Sequence, residues 1–408
     1  MNKMAHLIVI GAGPAGLSAA ASAAEQGLPV TVLDEFTEPG GRMPGQYHEE
    51  GSQGWWIGKH VSDELITRCA ELGVDIRCGV SVHGMEYTTT WEISTSCGLL
   101  TAEYVLLATG AAEIPVPLDG WTLPGVMSIG AAQVLTNVHY VKPGERGIIV
   151  GMNVLSMAIA RELSVAGVKV AAITLPCAGP LAGAAADPTA SAKLLLQLSG
   201  LAPAAWMRAG GKLAATMRME KLIARCYPHR GFRLWDIPIR LRTAVQSVNG
   251  QDRVESVTLV HVKPDGSPIA GSERVEPADF VALSGGLYPL AELAAVAGCK
   301  FVYSPELGGH VPLHGERMET SLKGLYVAGN ITGIESGLVA MAQGRLAAAS
   351  MIHAAGLGGA GGEQRVQEAI REVHFVRKHA LIQFHPGITE ARTQLYQQWG
   401  QISSGSGA

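Results

Sequence analysis

The sequence predicts an α/β fold built on parallel strands, and three stretches carry that prediction. Residues 7–10 are four consecutive apolar residues, which suit a strand buried on both faces of a sheet, and they run into a glycine turn at 11–16. Residues 104–107 form a second apolar strand, and residues 147–150 form a third that enters a turn at Gly151. Apolar strands that end in glycine turns and alternate with helices are typical of parallel α/β architecture.

The first turn has the spacing G-x-G-x-x-G, formed by Gly11, Gly13 and Gly16, with Pro14 and Ala15 between the last two. The first glycine permits the tight turn, the second lets backbone approach a pyrophosphate, and the third lets helix and strand pack closely. The following helix would present free N–H groups and a partial positive charge to phosphates. An ordinary βαβ unit without a ligand is the alternative, which the complete strand–turn–helix–strand context disfavours.

An acidic residue ends the next strand, residues 29–34. Asp34 lies eighteen residues after Gly16, where its carboxylate can accept hydrogen bonds from an adenosine ribose, and Glu35 is the alternative for that role. An acid at this place disfavours the 2′-phosphate of NADP. Gly41 and Arg42 follow in a Gly/Pro-rich loop. This loop either brings Arg42 to a phosphate or is a plain surface loop.

Length and charge exclude several classes of protein. At 408 residues the chain is long enough for two or three domains, and 51 glycines with only 16% charged residues suit an α/β enzyme with many tight turns. The net charge of −4 gives no electrostatic argument for nucleic acid or an anionic membrane, and the basic residues within 216–242 alternate with apolar ones, which favours a solvated face. Because no stretch has transmembrane length and no signal-peptide pattern is present, we expect a cytoplasmic protein without a membrane span.

The order of these motifs resembles that of two-dinucleotide-binding-domain flavoproteins of the glutathione reductase type. The resemblance continues at residues 324–330, a strand that ends in Gly329-Asn330. In the family an acid stands at the last position, beside the flavin ribityl and pyrophosphate, and Asn330 can still accept and donate hydrogen bonds there. The resemblance implies FAD as the cofactor. The FAD-binding residues that it implies are Gly11, Gly13, Pro14, Ala15, Gly16, Asp34, Glu35, Gly41, Arg42, Val82, Ala108, Thr109, Gly110, Gly329, Asn330, Gly333 and Ile334.

Such folds carry a second Rossmann-like domain inserted into the first, and residues 147–151 begin it here. After Gly151, Asn153 and Ser156 replace the second and third glycines of the turn. Because a side chain at 153 would crowd a pyrophosphate, this second site is predicted to be degenerate and not to bind NAD(P)H productively. The predicted domains are 1–115 with 276–355 for FAD, 116–275 for the second domain, and a helical tail at 356–408 that contacts another subunit.

Two stretches, 114–133 and 329–348, resemble a narrower group. It comprises the larger flavoprotein subunits of bacterial D-hydroxyproline dehydrogenase, opine oxidase, hydrogen cyanide synthase and dye-linked L-proline dehydrogenase. The resemblance implies a subunit of a hetero-oligomeric dehydrogenase for an amine, imino acid or opine, whose electrons pass to an acceptor other than NAD(P). A second flavoprotein subunit is an alternative site of substrate oxidation. Gly333 and Ile334 would open a helix that faces the flavin pyrimidine end. No cysteine follows Cys299, so a [2Fe–2S] cluster is expected on a partner chain or not at all.

No residue of the sequence stands out as a general base. His310 and His314 are candidates for groups near the flavin, with surface or structural histidines as the alternative. The six cysteines predict free, mostly buried thiols rather than an active disulfide, and no metal-ligand spacing is found in the sequence. Two other functions stay open, a stand-alone NAD(P)H-dependent flavin reductase and a non-catalytic, FAD-stabilised scaffold subunit.

Overall fold

The computed structural model describes residues 6–49, 54–179, 182–197, 199, 205–380 and 383–405. The chain forms two compact units, one from Met1–Ala112 with Leu287–Ala408 and the other from Glu113–Gly286. The second unit is inserted into the first, as the sequence predicts. The chain returns to the first unit at Leu287 rather than at residue 276, because the strand at 280–283 pairs within the second unit.

The N-terminal part of the first unit alternates strands and helices up to an antiparallel three-stranded sheet. Its elements are β1 (Leu7–Ile10), α1 (Pro14–Glu25), β2 (Val30–Asp34), β3 (Tyr47–Glu49), β4 (Trp55–Ile57), α2 (Gly58–Glu71), β5 (Asp75–Cys78), β6 (Val82–Tyr87), β7 (Trp91–Thr95), β8 (Gly98–Ala102), β9 (Tyr104–Leu107) and β10 (Ala111–Glu113). The three-stranded sheet has the order β6-β7-β8, and β3 pairs with β4.

The second unit is built on one mixed sheet with helices. Its elements are β11 (Val126–Ser128), α3 (Ile129–Asn137), β12 (Arg146–Val150), α4 (Val154–Val165), β13 (Lys169–Pro176), α5 (Pro188–Gln197), α6 (Ala205–Thr216), α7 (Glu220–Cys226), β14 (Phe232–Leu234), β15 (Ile237–Asn249), β16 (Ser256–His261), β17 (Arg274–Pro277) and β18 (Phe280–Leu283). The order is β11-β18-β12-β13-β15-β16-β17. The β15-β16-β17 part of the sheet is antiparallel.

The C-terminal part completes the first unit. Its elements are β19 (Leu287–Pro289), α8 (Glu292–Val296), β20 (Phe301–Ser304), β21 (Gly309–Pro312), β22 (Leu325–Val327), α9 (Gly337–Ala354), α10 (Gly362–His379) and α11 (Ile388–Gly405). Strand β22 is the outer strand of a parallel sheet with the order β22-β9-β1-β2-β5. Every residue of β1 is buried, as expected for a central parallel strand covered on both faces.

The predicted C-terminal tail belongs to the first unit and is not a separate segment. Helix α10 buries Val366, Ile370 and Val373, whose spacing forms one apolar stripe, in the same core as β1, α1 and α9. Helix α11 buries Ile388 and Leu395 in a smaller core with β21. A subunit contact by this region stays a prediction. None of the helices in the described part of the chain combines the length and apolarity that a bilayer crossing requires.

Candidate functional site

The turn between β1 and α1 is shaped by its glycines. Gly11 has φ +107°, and a Cβ there would overlap the carbonyl oxygen of Ala108, while a Cβ on Gly16 would overlap the carbonyl oxygen of Gly11. These two positions therefore need glycine for packing inside the protein. A Cβ on Gly13 would meet no atom within 4 Å. Gly13 thus borders open space, which is what a close approach by a ligand requires.

Helix α1 begins at Pro14, with Gly13 as its N-cap. No described side chain caps it with a hydrogen bond, and its first turn contains no acidic residue. The proline has no N–H to satisfy at the first helical position. The remaining N-terminal N–H groups and the positive end of the helix dipole are therefore available to an anion at Gly13.

The corresponding turn of the second unit is capped. Asn153 Oδ1 accepts a hydrogen bond from the Ser156 N–H (3.0 Å), and Ser156 Oγ accepts one from the Asn153 N–H (2.9 Å). Asn153 Nδ2 also donates to the Ser284 carbonyl (2.9 Å). The N-terminus of α4 thus has its own side-chain partners, and Asn153 fills the place of the second glycine. This geometry gives the physical reason to expect a degenerate second site.

The Gly40-Gly41 loop lies against the first glycine turn. The Gly40 N–H donates to the Ala12 carbonyl (2.8 Å). Gly41 has φ +60°, and a Cβ there would lie 3.0 Å from the Gly13 Cα. The exposed Arg42 follows directly. The loop therefore brings Gly41 and Arg42 beside the open approach at Gly13, as the phosphate hypothesis requires.

Asp34, at the end of β2, has a structural role that the sequence did not indicate. The Ala12 N–H donates to its Oδ2 (2.6 Å) and the Phe36 N–H to its Oδ1 (2.9 Å), and the side chain is buried. The carboxylate thus fixes the glycine turn to the end of the strand. The ribose contact stays a prediction for Asp34 and for its exposed neighbour Glu35.

We expect Asp34→Ala to lower the free energy of unfolding of the ligand-free chain by about 1–3 kcal/mol, because the buried Ala12 N–H and the partly buried Phe36 N–H lose their acceptor. Urea denaturation measures the change. The exposed neighbour provides the matched control, and Glu35→Ala should shift the free energy of unfolding by no more than about 0.5 kcal/mol. Equal effects of the two substitutions would contradict a structural role that belongs to Asp34 alone.

The ends of β9 and β22 meet the same turn. The Ala108 N–H donates to the Ile10 carbonyl (2.8 Å), and Thr109 Oγ1 donates to the Leu290 carbonyl (2.5 Å) before the chain turns at Gly110, with φ +77°. Gly329 has φ +79°, and a Cβ there would lie 2.9 Å from the Ala15 Cβ on α1. Three strand ends therefore converge on the start of α1. Val82 lies apart from them at the start of β6, partly buried, and its contact with FAD stays a prediction.

The loop after β22 differs from the prediction that Gly333 and Ile334 open a helix. Helix α9 begins at Gly337 instead, with Ser336 as N-cap, whose Oγ accepts from the Val339 N–H (3.4 Å). The reason is local, because Gly333 has φ +135°, which a helix cannot contain. The Asn330 Oδ1 accepts from the Glu335 N–H (3.1 Å), so the amide shapes this loop.

A buried ionic network, defined by Glu335, Arg377, Arg392 and His314, lies behind this loop. The Glu335 carboxylate pairs with Arg377 (2.5 Å) and with Arg392 (2.7 Å), and all three side chains are at most 8% exposed. Gln343 on α9 donates to the same carboxylate (3.3 Å) and accepts from the Gly329 N–H (2.8 Å). The network therefore ties α9, α10 and α11 to the end of β22.

The sequence did not reveal this network. Arg377 and Arg392 lie on helices of mixed polarity, where they resemble surface residues, and only folding brings them to one carboxylate. Gln343 could have indicated a buried polar contact, because it is a polar residue within an otherwise apolar stretch of α9.

Burial and the Arg392 guanidinium lower the pKa of His314 to about 3. The ring is fully buried, with Nδ1 2.8 Å from the Pro312 carbonyl and Nε2 3.4 Å from Arg392 Nη1. Nδ1 therefore carries the proton, and Nε2 accepts from the guanidinium. Burial alone would raise the pKa of Glu335, but the two guanidinium groups hold that pKa below its usual value. The network thus contains two cations, one carboxylate and a neutral imidazole.

His314 therefore has a structural environment and no exposed face at which a substrate proton could be taken up. His310 is exposed on β21, 4.9 Å from the Tyr303 ring, and a role near the flavin stays a prediction for it.

We expect the stability of the ligand-free chain to fall between pH 7 and pH 5 because of His314. Its folded pKa lies below the unfolded value near 6.5, so the folded state cannot take up the proton that the unfolded chain binds. The loss reaches about 2 kcal/mol at pH 5. Asn replaces the Nδ1–H donor without titrating, so the slope of stability against pH should be shallower in His314→Asn. Parallel slopes in the two proteins would contradict this assignment.

A comparison with protein families now identifies the fold. The family described as "Pyridine nucleotide-disulphide oxidoreductase" matches residues 5–344. The chain belongs to this family.

The six cysteines of this chain are all free. The expectation of mostly buried thiols was wrong, because only Cys69 is buried while Cys97 and Cys226 are exposed.

Among curated relatives, components of larger enzymes recur. An opine oxidase subunit of Agrobacterium tumefaciens (strain Ach5) is 26% identical over 373 residues, which cover 85% of this chain and 65% of that protein. Hydrogen cyanide synthase subunit HcnB of Pseudomonas aeruginosa is 26% identical over 392 residues, covering 93% and 77%. The alpha subunit of sarcosine oxidase from Rhizobium meliloti (strain 1021) is 33% identical over 190 residues, covering 42% and 19%. The chain thus spans just under two thirds of the opine oxidase subunit.

Solved structures confirm the predicted glutathione-reductase-type fold. L-proline dehydrogenase from P. horikoshii superposes with a TM-score of 0.61 at 20% identity, covering 89% of this chain and 58% of that chain. Thioredoxin reductase from T. acidophilum superposes with a TM-score of 0.59 at 20% identity, covering 86% and 98%.

Membership of this oxidoreductase family implies FAD as the cofactor, as the sequence predicts. The first unit fits that cofactor, because Gly13 borders open space and the N-terminus of α1 lacks a side-chain cap. Both features suit a pyrophosphate.

Proposed function

We propose that this chain is the flavoprotein subunit of a multi-subunit dehydrogenase for an amine, imino acid or opine, which passes electrons to an acceptor other than NAD(P). The observation that carries the proposal is the contrast between the two helix N-termini. No side chain in the described part of the protein caps α1, which begins beside an open glycine, whereas Asn153 and Ser156 cap α4. One dinucleotide site is therefore open and the other is filled by side chains.

Bound FAD supplies a two-electron acceptor, and the residues of the first unit hold it in place. In the proposed arrangement the N–H groups at the start of α1 bind the pyrophosphate and Arg42 contributes a positive charge. Glu35 is the proposed ribose acceptor, because its side chain is exposed whereas the Asp34 carboxylate is buried and binds two backbone N–H groups. Gly329 and Asn330 would hold the ribityl side of the cofactor.

The buried ionic network would support this arrangement from behind the loop. It holds Gly329 through Gln343 and the loop 330–335 through Glu335, so the ribityl-side backbone is fixed before binding. A preformed backbone loses less conformational entropy when a ligand binds.

The substrate class and the hetero-oligomer rest on the relatives. The matched chains of opine oxidase, hydrogen cyanide synthase and sarcosine oxidase are each named as one subunit of a larger enzyme. The compounds in those names, together with L-proline dehydrogenase, favour carbon–nitrogen substrates.

An anaerobic absorbance titration of the flavin tests the proposal. The purified chain receives NADH, NADPH and then a panel of imino acids and opines, first alone and then with a co-purifying partner. Bleaching by an imino acid or opine, and not by NAD(P)H, supports the proposal, and a requirement for the partner supports the place of this chain in a larger complex. Bleaching by NAD(P)H alone would instead identify a flavin reductase. If the partner turns over substrate fully after this chain's FAD site is emptied, the chain is a scaffold.

Asn153→Gly is the matched variant for this titration, since it removes the side chain that caps α4 and fills the second turn. The proposal expects NADH to leave the flavin oxidised in the unchanged chain. Faster bleaching by NADH in Asn153→Gly would support exclusion of NADH by the cap.

A further inference from the structure

The charge of this chain is unevenly distributed. Residues 205–233 contain seven Lys or Arg and a single acidic residue, Glu220, so this segment has a net charge of +6 in a chain whose total is −4. The segment covers α6, α7 and β14 and follows α5. The second unit therefore contains a strongly basic segment, although the net charge of the whole chain is negative.

The same segment exposes large apolar side chains. Leu213, Met217, Leu222 and Phe232 are each more than half exposed. Single exposed apolar residues are ordinary, but a cluster on one segment indicates a surface that contacts something apolar. Between them lie exposed cationic side chains. We define the insert face as the exposed side chains Leu213, Met217, Arg218, Lys221, Leu222, Arg225, Phe232 and Arg233.

These side chains lie on elements that share packing neighbours. Helices α6 and α7 both pack on α5, and the Phe232 ring stands edge-on to Tyr227 (5.2 Å between centroids), directly after α7. Along α7 the exposed positions 221, 222, 225 and 226 recur with helical spacing, so Leu222 lies beside the two cations Lys221 and Arg225.

A recess of about 410 Å³ opens beside these helices. Among the described residues, those that line it are Lys193, Leu196, Gln197, Ala215, Arg218 and Glu220. Lys193 and Arg218 therefore line a space that has room for a phosphate headgroup. Glu220 is the acidic residue among the described lining residues.

We propose that the insert face binds the surface of an anionic phospholipid bilayer. Lys and Arg reach the phosphates while Leu, Met and Phe enter the boundary of the acyl chains, which is how basic amphipathic helices bind membranes. A protein is the other possible partner for this face, because Arg, Met and Phe are also common at protein interfaces. The net charge of +6 over residues 205–233 favours the anionic lipid surface. The solvated face that the sequence favours for these basic residues does not explain the exposed apolar side chains among them.

Vesicle co-sedimentation of the purified FAD-loaded chain tests the proposal. Vesicles of phosphatidylcholine with phosphatidylglycerol should retain the chain at low salt, and pure phosphatidylcholine vesicles should not. Binding should decline at about 1 M salt, where the Debye length falls to about 3 Å. Lys221→Gln/Arg225→Gln should weaken binding about twenty-five-fold, since each surface cation contributes roughly a factor of five.

Two further double variants test whether vesicle binding depends on the insert face and on its apolar side chains. Lys142→Gln/Lys263→Gln removes two exposed cations of the same unit outside the insert face, and should leave vesicle binding within about twofold. Leu213→Ser/Leu222→Ser keeps the charge and should weaken binding at least about tenfold.

The proposal is overturned if the chain does not sediment with anionic vesicles, binds neutral vesicles equally well, or loses binding equally in the control. Failure to bind vesicles together with a defined complex with another polypeptide through the same residues would assign the face to a protein partner. None of these readouts depends on the substrate or electron acceptor of the chain, so the two proposals can fail separately.

Discussion

Gly13→Val is expected to abolish FAD retention while leaving the fold intact. The backbone at Gly13 is extended, with φ −76° and ψ −175°, which valine adopts readily, and a Cβ there meets no protein atom within 4 Å. The new side chain occupies space that the pyrophosphate needs. We expect a loss on the order of 3 kcal/mol of binding free energy, or roughly a hundredfold in Kd. Flavin absorbance per mole of purified protein measures the result, and thermal unfolding of the ligand-free variant shows that it folds.

Two other glycines make the prediction specific. Gly210→Val places the same side chain at an exposed position that also has no atom within 4 Å of a Cβ, and should keep full FAD content. Gly11→Val should fail to fold, because the turn has φ +107° and the Cβ overlaps a carbonyl. Stoichiometric flavin in Gly13→Val would show that this turn does not face the pyrophosphate.

Glu335→Leu should be among the most destabilising single substitutions in this chain. It leaves Arg377 and Arg392 buried together with no carboxylate between them. Removal of one partner from a buried ion pair costs about 3–5 kcal/mol, since the remaining charge is desolvated without compensation. Urea denaturation of the ligand-free chain measures the loss, and hydrogen exchange of the β9 amides assigns it to the first unit.

A surface pair and a fully apolar replacement are the controls. Glu372→Leu breaks the half-exposed pair with Arg345 and should cost no more than about 1 kcal/mol. The triple variant Glu335→Leu/Arg377→Met/Arg392→Met removes all three charges and should recover most of the stability lost in Glu335→Leu. If Glu335→Leu costs no more than Glu372→Leu, the network does not hold the C-terminal helices to the first unit.

The dinucleotide turn could be predicted from the sequence because its chemistry is local. The spacing of Gly11, Gly13 and Gly16 after an apolar strand predicts the turn, and the same spacing with Asn153 in it predicts the change in the second unit. Each depends on backbone shape over six residues, which adjacent residues largely set. The parallel sheet was predictable for a similar reason, because strands buried on both faces are continuous apolar runs.

The tertiary structure decided everything that depends on residues far apart in the chain. Asp34 holds Ala12, twenty-two residues away, and Glu335 meets Arg377 and Arg392 only after α10 and α11 fold back on the first unit. Strand β18 pairs with β12 across more than a hundred residues, so the return at Leu287 could not be placed from local pattern. Local pattern fixes backbone conformation, whereas the partners of a buried charge or a strand edge are set by the whole fold.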